Sequence, residues 1–143
     1  DQMTWTPEFS RRARGYATYA AIRELGSRGI ADCVDRFCKY ATMIVEGASQ
    51  NTQTEVLAYP IINQGVIRFK HASINADEAA HDQFTLDVIS AINASGEAFF
   101  QPSVYKGKRC MRISVSGWRT NDEDVRRAVE AIHQAIETVN KTR

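Results

Sequence analysis

The hydrophobic period of this sequence changes near residue 50, and this change constrains the fold more than any other feature. Before it, apolar residues recur three or four apart over Ser10–Leu25 and Ile30–Glu46, which predicts two amphipathic helices. Gly26 and Gly29 predict a break between them. The small polar run Gly47–Gln53 has little apolar surface to bury and marks the predicted end of this helical arm.

After residue 53 the sequence alternates between short β-prone runs and helical patterns. Strands are predicted at 56–59 and 66–69, and then a helix that begins at a capping box formed by Asn75 and Glu78. Strands at 98–105 and 110–116 follow, joined by a turn at Gly107, and a final helix begins at a capping box formed by Thr120 and Glu123. This order predicts an α+β fold, with a small antiparallel sheet that has helices on one face. We therefore expect a helical arm at residues 1–50 and a small domain at residues 51–143.

Within the last predicted strand, apolar and polar residues alternate strictly. Met111, Ile113 and Val115 fall on one face, and Arg112 falls on the other. Successive side chains of a strand point to opposite faces of the sheet. We therefore expect Arg112 to point away from the core.

Composition excludes several classes of function. The 18 basic and 17 acidic residues give a net charge of +1, which offers no electrostatic basis for binding nucleic acid or an acidic membrane. Three cysteines without a CxxC pair favour neither a disulfide framework nor a zinc site, and they suit a reducing cytoplasm. The three histidines have no ligand spacing, so no metal site is predicted. No apolar run approaches the roughly 20 residues that cross a bilayer.

Three stretches of the sequence carry a resemblance to a known family. They are WTPEFSRRARG at 5–15 followed by RELGSRGI at 23–30, LAYPIINQGVIRF at 57–69, and MRISVSGWRT at 111–120 ahead of Asp124-Val125. In this order and spacing they resemble the C-terminal region of the group II pyridoxal-phosphate-dependent decarboxylases. That family contains glutamate, aromatic amino acid and histidine decarboxylases.

The resemblance implies a lyase of amino acid metabolism with the fold-type I architecture. A large domain would bind pyridoxal 5′-phosphate on a lysine, a small C-terminal domain would close over the site, and the enzyme would be a cytoplasmic homodimer. No lysine of this chain follows a histidine, which is the setting of the family's cofactor lysine. We therefore expect this chain to be a fragment that is inactive alone, and its start at Asp1 agrees with that interpretation.

The resemblance also implies roles for two arginines. Arg112 matches the family arginine that meets the substrate's carboxylate, and a guanidinium can give two parallel hydrogen bonds to such a group. Arg12 matches an arginine near the active site and the dimer interface. Without the resemblance, either residue would be an ordinary surface arginine. No catalytic residue is predicted within the chain, and the residues that would contact the cofactor are unknown.

Other classes of protein remain open from the residues alone, among them a purely structural subunit of an enzyme split into two chains. A free-standing α+β ligand-binding or regulatory module would have a similar order of elements, but it would not explain the helical arm or the Arg112 motif. An RNA-binding sandwich would need exposed aromatic residues beside basic ones, and the near-neutral charge argues against it. Alone, the arm helices would have uncovered apolar faces, so we expect dimerisation through them or disorder of the arm.

Overall fold

The computed structural model describes Trp5 and residues 13–73 and 75–142, and within them lie three helices and four strands. In chain order they are α1 (Arg14–Ser49), β1 (Thr54–Ala58), β2 (Gln64–Phe69), α2 (Glu78–Ser95), β3 (Gln101–Tyr105), β4 (Lys108–Ser114) and α3 (Asp122–Lys141). The predicted α+β class is confirmed.

The chain divides into two compact units, residues 1–33 and residues 34–143. In the first unit, the described residues from 13 to 33 are nearly all exposed. Gly26 has φ 62° and ψ −175°, a backbone conformation open to glycine because it has no Cβ. The predicted break at Gly26 is confirmed, whereas Gly29 is helical. The division into an arm of residues 1–50 and a domain of residues 51–143 stays a prediction.

In the second unit, the four strands form one antiparallel sheet in the order β1-β2-β4-β3. The helices cover one face of this sheet, as the sequence predicted. All three helices and the two central strands contribute buried apolar side chains to a single core, among them Ile44, Ile67, Phe84, Met111 and Ile132. Burial of a side chain of this size stabilises the fold by about 1.5–3 kcal/mol. The other face of the sheet, opposite this core, is not covered by the described helices, and we call it the outer face.

Two glycines allow the second half of α1 to approach its neighbours closely. A Cβ on Gly65 of β2 would lie 2.7 Å from Cγ2 of Val45, and a Cβ on Gly47 would lie 2.7 Å from Cγ2 of Val129 in α3. The predicted helix end at Glu46 is three residues early, because α1 continues through Gly47 to Ser49 and Ala48 is fully buried. Small residues suit a close helix contact as well as they suit a linker.

The helix starts differ from the predicted capping boxes by one or two residues. The N-cap of α2 is Asp77, whose carboxylate accepts a hydrogen bond from the backbone N–H of Ala80. The N-cap of α3 is Asn121, which forms a reciprocal capping box with Asp124. Asn and Asp compete well with Ser and Thr at this position, so adjacent polar residues made the starts ambiguous.

Candidate functional site

Arg112 lies in β4, one of the two central strands, where buried and exposed side chains alternate from Met111 to Ser114. Met111 and Ile113 are fully buried, while Arg112 and Ser114 are exposed. The Arg112 side chain therefore lies on the outer face, and the predicted orientation is confirmed.

The two residues opposite Arg112 carry no charge. Val66 of β2 and Gln101 of β3 are its partners across the sheet. Nη2 of Arg112 donates a hydrogen bond to Oε1 of Gln101 at 3.1 Å. Among the described residues, no carboxylate forms an ion pair with Arg112. A guanidinium has five N–H donors, so most of them remain available to an anion.

A cleft of about 270 Å³ adjoins this arginine. It is lined by Phe99, Phe100, Gln101, Arg112 and Ser114. The Phe99 ring is 74% exposed, whereas the Phe100 ring is buried. Because ligand pockets usually enclose about 300–1,000 Å³, this cleft can form one wall of a site rather than a whole one.

The segment that carries Phe99 and Gln101 is fixed by a side chain of α2. The Asn93 amide accepts a hydrogen bond from the backbone N–H of Phe100 and donates one to its carbonyl, both at 2.9 Å. These two bonds continue the pattern of a strand beyond the point where β3 begins. The wall of the cleft is therefore held by α2 as well as by the sheet.

Large apolar side chains gather at the same end of the sheet. This end is where β1 and β4 finish and where β2 and β3 begin, and the loops there carry exposed side chains that we call the apolar end: Tyr59, Ile61, Ile62, Phe99 and Trp118. Asn63 joins two of these loops, since its amide donates to the Val115 carbonyl at 2.8 Å. Clustered apolar exposure of this kind is typical of a surface that contacts another protein or domain.

Gln101 was not singled out from the sequence, although a signal for its position was present. Lys106 and Gly107 both have positive φ, as a two-residue hairpin turn requires. Counting outward from such a turn pairs Gln101 with Arg112. Phe99 carries no comparable signal, because its exposure depends on where β3 begins.

Other predicted features of the site fall elsewhere. Arg12 lies outside the described residues. None of the five lysines, at positions 39, 70, 106, 108 and 141, is buried, and Lys39 is 3.1 Å from the carboxylate of Asp122. Pyridoxal phosphate needs a lysine within an enclosed pocket. That the cofactor lysine lies outside this chain stays a prediction.

The described residues, Trp5, 13–73 and 75–142, form neither a metal site nor a membrane-spanning helix. No group of three or more His, Cys, Asp or Glu side chains among them is arranged to hold a metal ion. No helix formed by them is both long enough and apolar enough to cross a membrane.

Comparison with known proteins identifies the class of fold. The chain has the fold of a small domain found in pyridoxal-phosphate-dependent decarboxylases, and the resemblance predicted from the sequence is confirmed. A crystal structure described as Oryza sativa TDC with PLP and tryptamine matches 97% of this chain with a TM-score of 0.83 and 18% identity. Catharanthus roseus tryptophan decarboxylase in complex with L-tryptophan matches 96% of it with a TM-score of 0.80 and 16% identity.

Sequence comparison points in the same direction. Tyrosine decarboxylase 2 of Arabidopsis thaliana is 22% identical over 130 residues, which are 91% of this chain. No protein-family model matches the sequence. The chain spans 24% of the length of that relative, and 30% and 29% of the two solved structures. It therefore corresponds to a portion of such enzymes.

Proposed function

We propose that this chain is the C-terminal part of a pyridoxal-phosphate-dependent amino acid decarboxylase, and that Arg112 binds a carboxylate of the amino acid substrate. The observation that carries the second part is an arginine on the outer face that has no anionic partner among the described residues and lies beside an open cleft. The likeness to tyrosine and tryptophan decarboxylases supports the first part.

The chemistry of Arg112 suits recognition of a carboxylate. The planar fork of its guanidinium matches the two oxygens of the group. Arg112 would orient the substrate at the edge of a site completed by other residues. The cofactor, when bound, supplies a sink for the electron pair left as carbon dioxide departs. We expect the remainder of the enzyme to supply the cofactor lysine, so this chain alone would be inactive.

Steady-state kinetics of the intact enzyme that contains this chain test the proposal. L-Tyrosine and L-tryptophan, the amino acids for which the relatives above are named, are suitable substrates, with carbon dioxide release as the readout. A hydrogen bond to a charged group contributes about 1.5–3 kcal/mol, so Arg112→Ala should lower kcat/KM by about 10- to 150-fold. The kcat/KM of Arg112→Lys should lie between those of the wild type and Arg112→Ala, because an ammonium group keeps the charge but cannot form the planar fork.

Arg109→Ala is the matched control, since this arginine is exposed on the same strand and its position falls on the other face. It should leave kcat/KM unchanged. Unaltered kinetics for Arg112→Ala would remove the assignment of Arg112. No turnover of any of these amino acids by the intact wild-type enzyme would remove the decarboxylase proposal.

We propose that the partner of the apolar end is the large cofactor-binding domain of the same protein. The side chain of Ile61 is 96% exposed, and a charge there would oppose its burial in an interface. Ile61→Lys should weaken association of this chain with a separately expressed cofactor domain in a pull-down. Val104→Lys is the control, because Val104 lies near the opposite end of the sheet and is also exposed. Equal binding by both variants would contradict this surface.

The remaining expectations concern assembly and location. We propose a cytoplasmic homodimer active in amino acid metabolism, with the exposed Tyr16, Tyr19 and Leu25 of the first unit as contacts between subunits. Sedimentation of the intact enzyme tests this, and a monomer at micromolar concentration would contradict it. None of the relatives named above supports a free-standing ligand-binding or regulatory module.

A further inference from the structure

We infer that Gln101 is a positioning residue, which fixes the orientation of the Arg112 guanidinium while leaving its charge unneutralised. This inference rests on the proposed function, because it concerns how Arg112 would meet a carboxylate. It assigns to the edge strand β3 a role in the site that sequence reasoning did not foresee.

The geometry favours a fixed guanidinium. Gln101 and Arg112 are direct partners across the β3–β4 pair, so their side chains lie side by side on the outer face. The 3.1 Å bond joins Nη2 of Arg112 to the amide oxygen. Asn93 holds the backbone of Phe100, next to Gln101, through two hydrogen bonds. The backbone beside the acceptor residue is therefore held in place.

The chemistry of the partner matters as much as its position. Val66, on the other side of Arg112, has no hydrogen-bonding side chain, so Gln101 is the one cross-strand neighbour that can orient the guanidinium. An amide accepts one hydrogen bond without adding charge. A carboxylate at the same place would accept the same bond, but it would also neutralise Arg112 and repel an incoming carboxylate. The position therefore selects glutamine over glutamate.

This distinction supplies the test, in the intact enzyme with a substrate from the panel above. Gln101→Ala removes one hydrogen bond worth about 0.5–1.5 kcal/mol and should raise KM by about 2- to 12-fold with little change in kcat. Gln101→Glu preserves shape and bond, so a merely structural role would leave it active. We expect it instead to raise KM more than Gln101→Ala does, by an amount that shrinks as salt is added.

A double-mutant cycle shows whether Gln101 acts through Arg112. In the Arg112→Ala background, Gln101→Ala should have no further effect on KM. Gln134→Glu, an exposed change of the same kind on α3, controls for added negative charge and should leave KM unchanged. Circular dichroism of each variant verifies that it is folded.

The outcomes separate this inference from the proposed function. If Arg112→Ala lowers kcat/KM while both Gln101 variants match the wild type, the role of Gln101 is refuted and that of Arg112 stands. If Arg112→Ala has no effect, the proposed site fails and this inference fails with it. The requirement for a neutral partner is refuted if, at low salt concentration, Gln101→Glu raises KM no more than Gln101→Ala does.

Discussion

Replacing the buried Arg68 by methionine asks whether the charge or the stem of this side chain stabilises the fold. Arg68 is fully buried in β2. Its Nη1 donates to Oε2 of Glu78 at 2.8 Å, and its Nε lies 3.8 Å from Oε2 of Glu55. Within the part of the chain that the structure describes, Nε and Nη2 have no hydrogen-bond partner. The guanidinium is thus desolvated but incompletely compensated.

The expected effect of Arg68→Met follows from two opposing contributions. The change removes one charge-assisted hydrogen bond, worth about 1.5–3 kcal/mol, and it relieves two buried unpaired donors that cost about 1–3 kcal/mol each. Methionine preserves an unbranched apolar stem of similar length. We therefore expect the free energy of unfolding to stay within about 2 kcal/mol of the wild type, because the Glu78 carboxylate that loses its partner is 67% exposed and can be hydrated.

Arg68→Ala is the matched variant, because it removes the charge and the stem together. The cavity that it leaves should lower the free energy of unfolding by about 2–5 kcal/mol. Urea denaturation followed by far-UV circular dichroism gives both values from the transition midpoint and slope. If Arg68→Met is as unstable as Arg68→Ala, the ion pair is net stabilising and the reasoning is refuted.

Three further predictions concern pH, reactivity and packing. The hydrogen bond from Arg68 lowers the pKa of the Glu78 carboxyl below its ordinary 4.5. The stability that this pair contributes is therefore complete above the ordinary pKa and is lost as the pH falls through the lowered pKa. Acid titration of Arg68→Met should lack this component. Burial raises the pKa of the Cys110 thiol, so iodoacetamide at pH 8 should label the half-buried cysteines of α1 first, and equal labelling by mass spectrometry would contradict this. Gly65→Ala would place a Cβ 2.7 Å from Val45 and should lower the free energy of unfolding by about 1–3 kcal/mol in urea denaturation, and an unchanged midpoint would show that α1 can move away.

The outer face of β4 was predictable because its physical signal is local. Strict alternation from Met111 to Val115 placed Arg112 opposite the core, and the structure agrees. The turn at Lys106–Gly107 fixes the β3–β4 register in the same local way. Elements whose geometry is set by neighbours in sequence can be derived from sequence.

Features that depend on distant partners could not be derived in this way. The helical run through Gly47 is stabilised against Val129, which lies far along the chain in α3. The short polar segment Gly47–Gln53 gives no sign of such a contact, so its composition predicts an end of the helix instead. The burial of Arg68 likewise depends on Glu78, which reaches it from the first turn of α2.

Arg68 and Arg112 lie on adjacent strands, and their positions fall on the same face of the sheet. Arg68 is nevertheless buried, whereas Arg112 is exposed. Their cross-strand partners differ in charge: Arg68 lies opposite Glu55, whereas Arg112 lies opposite Val66 and Gln101. A carboxylate partner allows a guanidinium to be buried, because it offsets part of the desolvation cost. Neutral partners leave the charge to water or to a ligand. The identity of the opposing residue therefore separates a structural arginine from one available for binding, and changing Gln101 to glutamate tests that rule directly.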